Sequence, residues 1–203
     1  MKIICIGRNY AEHAKELNNP LPSKPVFFMK PDSALLINNN PFFLPDFSNE
    51  IHYEAEIVLK ISRLGKNIQE KFAHRYYNTI GVGIDFTARD LQEVCKKAGH
   101  PWEIAKAFDQ SAVINRFISI DSIPDRNAIN FQLELNGITV QKGNTNDLIF
   151  SFDEIISYVS TFVTLKTGDL IFTGTPSGVG PVRTGDHLVA SLEGQLMLDF
   201  HIR

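Results

Sequence analysis

Hydrophobic and polar positions alternate most informatively at residues 51–61, IHYEAEIVLKI. Tyr53, Ala55, Ile57 and Leu59 occupy one parity and Glu54, Glu56, Val58 and Lys60 the other, the period-two pattern of a β-strand. Positions i and i+2 of a strand share a face about 6.6 Å apart. Glu54 and Glu56 are therefore predicted side by side, which is unfavourable unless the face is well solvated, one carboxyl is protonated or a cation lies between them. A half-exposed strand would show such acidic residues on its solvent side, with Lys60 continuing the polar set, whereas Val58 on the same face argues for partial burial.

The rest of the chain divides by the same rules. KIICIG at 2–7 reads as a short buried strand, YAEHAKEL at 10–17 as a short helix, and the prolines at 20, 22 and 25 as a loop leading to the apolar run VFFM. IQEKFAHRYY at 68–77 is helical in pattern, and TIGVGIDF at 79–86 is a strand whose glycines allow close backbone approach. Thr87 with Asp90 resembles a capping box and predicts a helix through ARDLQEVCKK that Gly99 and Pro101 end. INFQLELNGITVQKG is a hairpin turning at Asn136-Gly137, SFDEIISYVSTFV an amphipathic helix capped by Ser151, and a final strand pair turns at Glu193-Gly194. Many strands and few short helices predict an α+β fold with a rolled, barrel-like sheet.

Composition adds bounds. With 203 residues, 43% hydrophobic and 21% charged, one domain spanning 1–203 is expected. A formal charge of −3 gives no reason to expect nucleic acid or an anionic membrane as partner. The first ten residues lack the apolar length of a signal peptide, and no apolar run approaches the length of a membrane span. Cys5 and Cys95 form no metal-binding spacing, which fits a reducing, cytoplasmic location.

Candidate chemistry gathers around the acidic pair. Asp85 ends a predicted strand, where side chains can converge on a site, although an aspartate there can also serve the helix that follows. Three carboxylates without histidine or cysteine would suit a hard cation such as Mg²⁺, Mn²⁺ or Ca²⁺. His13 and Glu16 lie three apart on one helix face, the spacing of either a surface contact or an imidazole oriented as a general base. Arg8, Arg89 and Lys106 are nearby cations, and Lys106, in the apolar WEIAKAF, would need a partner if buried. TGTPSGVG at 173–180 lacks the ending of a nucleotide-binding P-loop; it is either an ordinary tight turn or, with Thr175, a nest for a carboxylate.

IGRNYAEHAKEL, HYEAEIVLKI, GIDFTARDLQ, PWEIAKAFD and IFTGTPSGVGP, in this order across nearly the whole chain, resemble the fumarylacetoacetate hydrolase family, above all its small acylpyruvase and oxaloacetate decarboxylase members. The resemblance implies the mixed β-roll of that family, a homodimer, and Mg²⁺ or Mn²⁺ held by Glu54, Glu56 and Asp85. It also implies a His13–Glu16 dyad and an active-site Lys106, with Arg89, Gln92 and Thr175 positioning the substrate; the nearby cation Arg8 is a further substrate-binding candidate. The expected reaction is metal-dependent cleavage of the C3–C4 bond of a small 2,4-dioxo acid. Oxaloacetate decarboxylation or tautomerisation and isomerisation of a hydroxy-dienedioate are the alternatives, and a metal-binding protein without catalysis is a remote one.

Overall fold

The structure, a computed structural model, describes residues 1–16 and 20–203. In chain order its strands begin with β1 (Ile3–Gly7), β2 (Val26–Lys30), β3 (Leu35–Leu36), β4 (Ile51–Tyr53), β5 (Ala55–Ile61), β6 (Tyr77–Asp85) and β7 (Thr87–Ala88). There follow β8 (Ala112–Ile114), β9 (Ile118–Ser119), β10 (Asn130–Leu135), β11 (Ile138–Asn144), β12 (Leu170–Phe172), β13 (Gly180–Pro181), β14 (His187–Leu192) and β15 (Gln195–His201). The helices are α1 (Ala11–Glu16), α2 (Arg89–Ala98), α3 (Glu103–Lys106) and α4 (Phe152–Phe162). Leu17, the last residue of the first predicted helix, lies outside the described residues.

The main sheet has eight strands in the order β2-β1-β12-β5-β6-β8-β3, with β9 joined to β6. The β1–β12 and β3–β8 pairs are parallel and the other pairs of this sheet antiparallel, so the sheet is mixed. A second sheet runs β11-β10-β14-β15, and β13-β4-β7 forms a third. The curled mixed sheet with short helices is the rolled α+β architecture that the pattern predicts.

Period two places residues of each central strand on opposite faces, and the core divides accordingly. Ala55, Ile57, Leu59 and Ile61 join Ile4, Ile6, Ile84 and Val113 in a large cluster, while Val58 joins Ile3, Cys5, Ile114 and Phe172 in a smaller one on the other face. β5 is therefore covered on both faces, and the half-exposed reading of its acidic side is overturned: Glu54 and Glu56 are buried and only Lys60 is exposed. The smaller cluster closes that face where hydropathy alone, with Val58 the one apolar residue of its parity, showed too little.

Local signals hold where chain-local chemistry decides. Asn136 and Gly137, with φ of 53° and 78°, make the predicted hairpin turn, and Glu193 and Gly194 make the second. Ser151 and Glu154 form a reciprocal capping box on α4. Two expectations fail. The segment 68–77 forms only a 3₁₀ helix at Glu70–Arg75, because Tyr77 is drawn into β6 opposite Ile61. Thr87 caps nothing: it pairs with His52 across β7 and β4, while Asp90 accepts from Ser48 Oγ at 2.6 Å and the Asn49 N–H at 3.0 Å.

Candidate active site

Glu54 lies in the break between β4 and β5, Glu56 within β5, and Asp85 at the end of β6, where its N–H donates to the Glu54 carbonyl at 2.8 Å. Antiparallel register sets Gly83 directly opposite Glu56. A Cβ at Gly83 would lie 2.6 Å from Phe172 and 2.8 Å from the Val113 carbonyl, so this strand needs glycine to pack beside the acidic pair. The result is a cluster in which one oxygen from each of Glu54, Glu56 and Asp85 lies within 4.8 Å of the others, with all three residues buried.

Cations surround two of these carboxylates. Lys106 Nζ donates to Glu54 Oε2 at 2.8 Å and Asp85 Oδ2 at 2.9 Å, and Arg89 Nη2 reaches Glu54 Oε1 at 2.5 Å. Burial alone would raise the Glu54 carboxyl, but Lys106 and Arg89 together hold it well below the usual carboxylate range. Burial would likewise depress Lys106, yet Asp85 and Glu54 push it above the usual lysine value. Among the described residues Glu56 has no such partner: burial, then the charges of Asp85 and Glu54, push it upward, opposed by the Gly174 N–H that donates to Oε2 at 2.7 Å.

The donor set fits a hard divalent ion. It is all oxygen, its spacing lets three side chains share one centre, and among the described residues the buried Asp85 Oδ1 is paired with an ammonium alone. Lys30 Nζ stands 2.7 Å from that oxygen as a counter-charge, but its hydrogen bonds go to the Phe86 carbonyl at 3.3 Å and to the carbonyl and Oγ of Ser111 at 3.0 Å.

The carboxylates open into a pocket of about 440 Å³, counting its solvent-open part, which His13, Arg8, Arg89, Gln92, Lys106 and Thr175 also line. All ten residues singled out in the sequence come together except Glu16, which supports the pocket through His13. His13 is buried on α1 with Nδ1 3.1 Å from Glu16 Oε2, and Glu16 Oε1 accepts the Gly178 N–H at 3.0 Å. Arg8 holds a left-handed φ of 60° just before α1, a local strain of the kind found at functional sites. Arg89 Nη1 donates to Gln92 Oε1 at 2.6 Å, one turn along α2.

Of the anion-nest expectation for 173–180, the structure keeps the chemistry and changes the ligand. Its Gly174 and Gly178 N–H groups hold this chain's own Glu56 and Glu16. Gly174 has φ of 104°, and a Cβ there would come 2.7 Å from Asn9 Cβ. Gly174→Ala is therefore expected to cost about 1–3 kcal/mol of stability, and a melting temperature equal to the parent's would contradict that close approach.

Among the buried polar residues that escaped sequence reasoning are Lys30, Asn9 and Gln141. Lys30 had a signal, a lysine closing the apolar run VFFMK. Asn9 binds the backbone of Phe150 through both amide ends and the Thr173 carbonyl at 2.8 Å, fixing the segment that enters α1. Its partners lie more than 140 positions away, so nothing local announced it.

A rolled mixed sheet buries three convergent carboxylates, a cluster that could hold a metal ion, beside a histidine supported by Glu16. Residues 2–203 match the fumarylacetoacetate (FAA) hydrolase C-terminal family, and the chain belongs to that family. It is 41% identical over 201 residues to the mitochondrial oxaloacetate tautomerase of Mus musculus, covering 99% of this chain and 91% of that protein. It is 42% identical over 194 residues to the mitochondrial oxaloacetate decarboxylase of Dictyostelium discoideum, covering 95% and 89%. The crystal structure of fumarylpyruvate hydrolase from Pseudomonas aeruginosa, in complex with Mn²⁺ and pyruvate, superposes with a TM-score of 0.94 at 35% identity, covering 100% of this chain and 89% of that one.

Proposed function

We propose that residues 1–203 form a single catalytic domain, a divalent-metal-dependent enzyme that interconverts the enol and keto forms of oxaloacetate. The observation that carries this reading is the meeting, in one pocket, of three carboxylates within 4.8 Å of one another and an imidazole held by a carboxylate at 3.1 Å. Identity near 40% to an oxaloacetate tautomerase and to an oxaloacetate decarboxylase supports the substrate. So does the charge of the pocket, where Arg8, Arg89, Lys96 and Lys106 with a divalent ion exceed three carboxylates and suit a dianion.

Glu54, Glu56 and Asp85 would hold Mg²⁺ or Mn²⁺. When bound, that ion supplies Lewis-acid polarisation of a chelating 2-oxo acid. The Glu16 carboxylate can only accept, so His13 Nδ1 carries the proton of that bond and Nε2 is the basic nitrogen. His13 Nε2 takes the proton from substrate C3 in the keto form, and the resulting imidazolium delivers it to the 2-oxygen of the enolate; from the enol to the keto form the same two transfers run in reverse. Lys106, kept charged by its two carboxylates, offsets the negative charge that develops on the 2-oxygen. Arg89, Gln92 and Arg8 position the acid and Thr175 holds its carboxylate.

Hydrolysis of acylpyruvates is the second reading, favoured by the same dyad, since an imidazole fixed by Glu16 can equally activate water for attack on a C4 carbonyl. The deciding experiment follows the enol absorbance of oxaloacetate and of acetylpyruvate, with pyruvate release, under Mg²⁺, Mn²⁺ and excess chelator. Metal-dependent loss of oxaloacetate enol faster than pyruvate appears supports the tautomerase. Pyruvate formed in step with that loss makes it a decarboxylase, and faster cleavage of acetylpyruvate makes hydrolysis primary.

Chelation should also lower the melting temperature, because an ion bound only by the folded state stabilises it by about 2.7 kcal/mol at a hundredfold excess over its dissociation constant. Identical melting curves with Mn²⁺ and with chelator would count against a bound ion. A homodimer is part of the proposal and is tested by light scattering in solution. Cys5 and Cys95 are both free and buried, in keeping with a reducing compartment, and among the described residues no helix is long and apolar enough to cross a membrane.

A further inference from the structure

Gln141 belongs to β11 in the four-stranded sheet, yet its side chain reaches the acidic site on the main sheet and is buried. Its Oε1 accepts the Ala55 N–H at 2.9 Å, the peptide between Glu54 and Glu56. Its Nε2 donates to Thr175 Oγ1 at 2.9 Å and to the Pro176 carbonyl at 3.0 Å. The amide cannot be turned over: the Ala55 N–H can only donate and the Pro176 carbonyl can only accept.

This fixed orientation has a consequence for Thr175. Its hydroxyl must accept from Gln141, and no other partner engages it among the described residues, so its own hydrogen remains available in a residue that lines the pocket. We propose that Gln141 is a positioning residue that polarises the Thr175 hydroxyl as a donor to a substrate carboxylate and ties the Glu54–Glu56 peptide to that same loop. The inference rests on the reading above, in which the pocket binds a 2-oxo carboxylate. Gln141 touches neither the reacting atoms nor the substrate in this arrangement, and it acts through Thr175.

A double-mutant cycle in the Mn²⁺-saturated protein, with pyruvate as calorimetric probe, tests this. Gln141→Met removes the amide with little change in volume, Thr175→Val removes the hydroxyl, and Thr175→Ser retains it. Gln141→Met and Thr175→Val should each weaken pyruvate about tenfold, and the double variant should lose no more than either alone. Thr175→Ser should bind as the parent does and should remain sensitive to Gln141→Met. In turnover, Gln141→Met should raise KM more than it lowers kcat.

Unchanged pyruvate affinity in Thr175→Val would reject the carboxylate role of Thr175, and with it that part of the functional reading. Loss in Thr175→Val but none in Gln141→Met, or losses that multiply in the double variant, would overturn the positioning role alone. Should Gln141→Met not recover the parent's circular dichroism, Gln141→Asn, a neutral amide one methylene too short to reach Ala55 and Thr175 together, enters the same cycle with the same outcomes.

Discussion

Asp85→Asn is expected to lower turnover by roughly 10³-fold, about 4 kcal/mol of transition-state stabilisation, and to abolish the rise in melting temperature expected of the parent with Mn²⁺. Two functions of the carboxylate are lost together. Asn offers one neutral oxygen to a hard cation where Asp85 offers a charged one. The change also strips a counter-charge from two buried lysines, Lys30 at 2.7 Å and Lys106 at 2.9 Å. Removing one member of a buried ion pair costs about 3–5 kcal/mol, so the variant should melt lower even with chelator present. Calorimetry with and without Mn²⁺ separates the two losses. Full Mn²⁺ stabilisation in Asp85→Asn would remove Asp85 from the ligand set.

His13→Ala should slow tautomerisation by about 10²–10⁴-fold, the usual contribution of a positioned acid–base group, while Mn²⁺ affinity stays within about threefold of the parent. α1 is only six residues long and its approach is anchored by Asn9 rather than by His13, so fold and metal should both survive the truncation. Glu16→Gln should be milder, because the amide can keep the Gly178 contact while weakening the charge that orients the ring. Decarboxylation of oxaloacetate, which needs no proton taken from C3 by the protein, should fall less than tautomerisation in His13→Ala. Equal loss of both activities would contradict the division of roles proposed for His13.

Much of the fold was legible because local chemistry decides it. The Asn136-Gly137 and Glu193-Gly194 turns take the positive φ of tight hairpins, a Ser-x-x-Glu box caps its helix from within four residues, and alternation marks the faces of β5. The two errors share one cause. Thr87 and Tyr77 carried helix-compatible signals, but pairing with His52 and Ile61, respectively, took their backbones into sheet. A local preference worth a few tenths of a kcal/mol yields to a strand partner held by the core.

The candidate site divides along the same line. The sequence by itself determined the three candidate carboxylates, the shared parity of Glu54 and Glu56, and the helical spacing of His13 and Glu16. Only the tertiary structure decided that the acidic face is buried, that Lys30 and Lys106 balance Asp85, and that Gly178 and Gln141 hold Glu16 and Thr175 in place. The reason is distance along the chain: Gly178 and Glu16 are 162 positions apart and Gln141 and Ala55 are 86. A buried polar group must find a partner, but which one it finds is set by how the sheets roll together, and no local pattern encodes that.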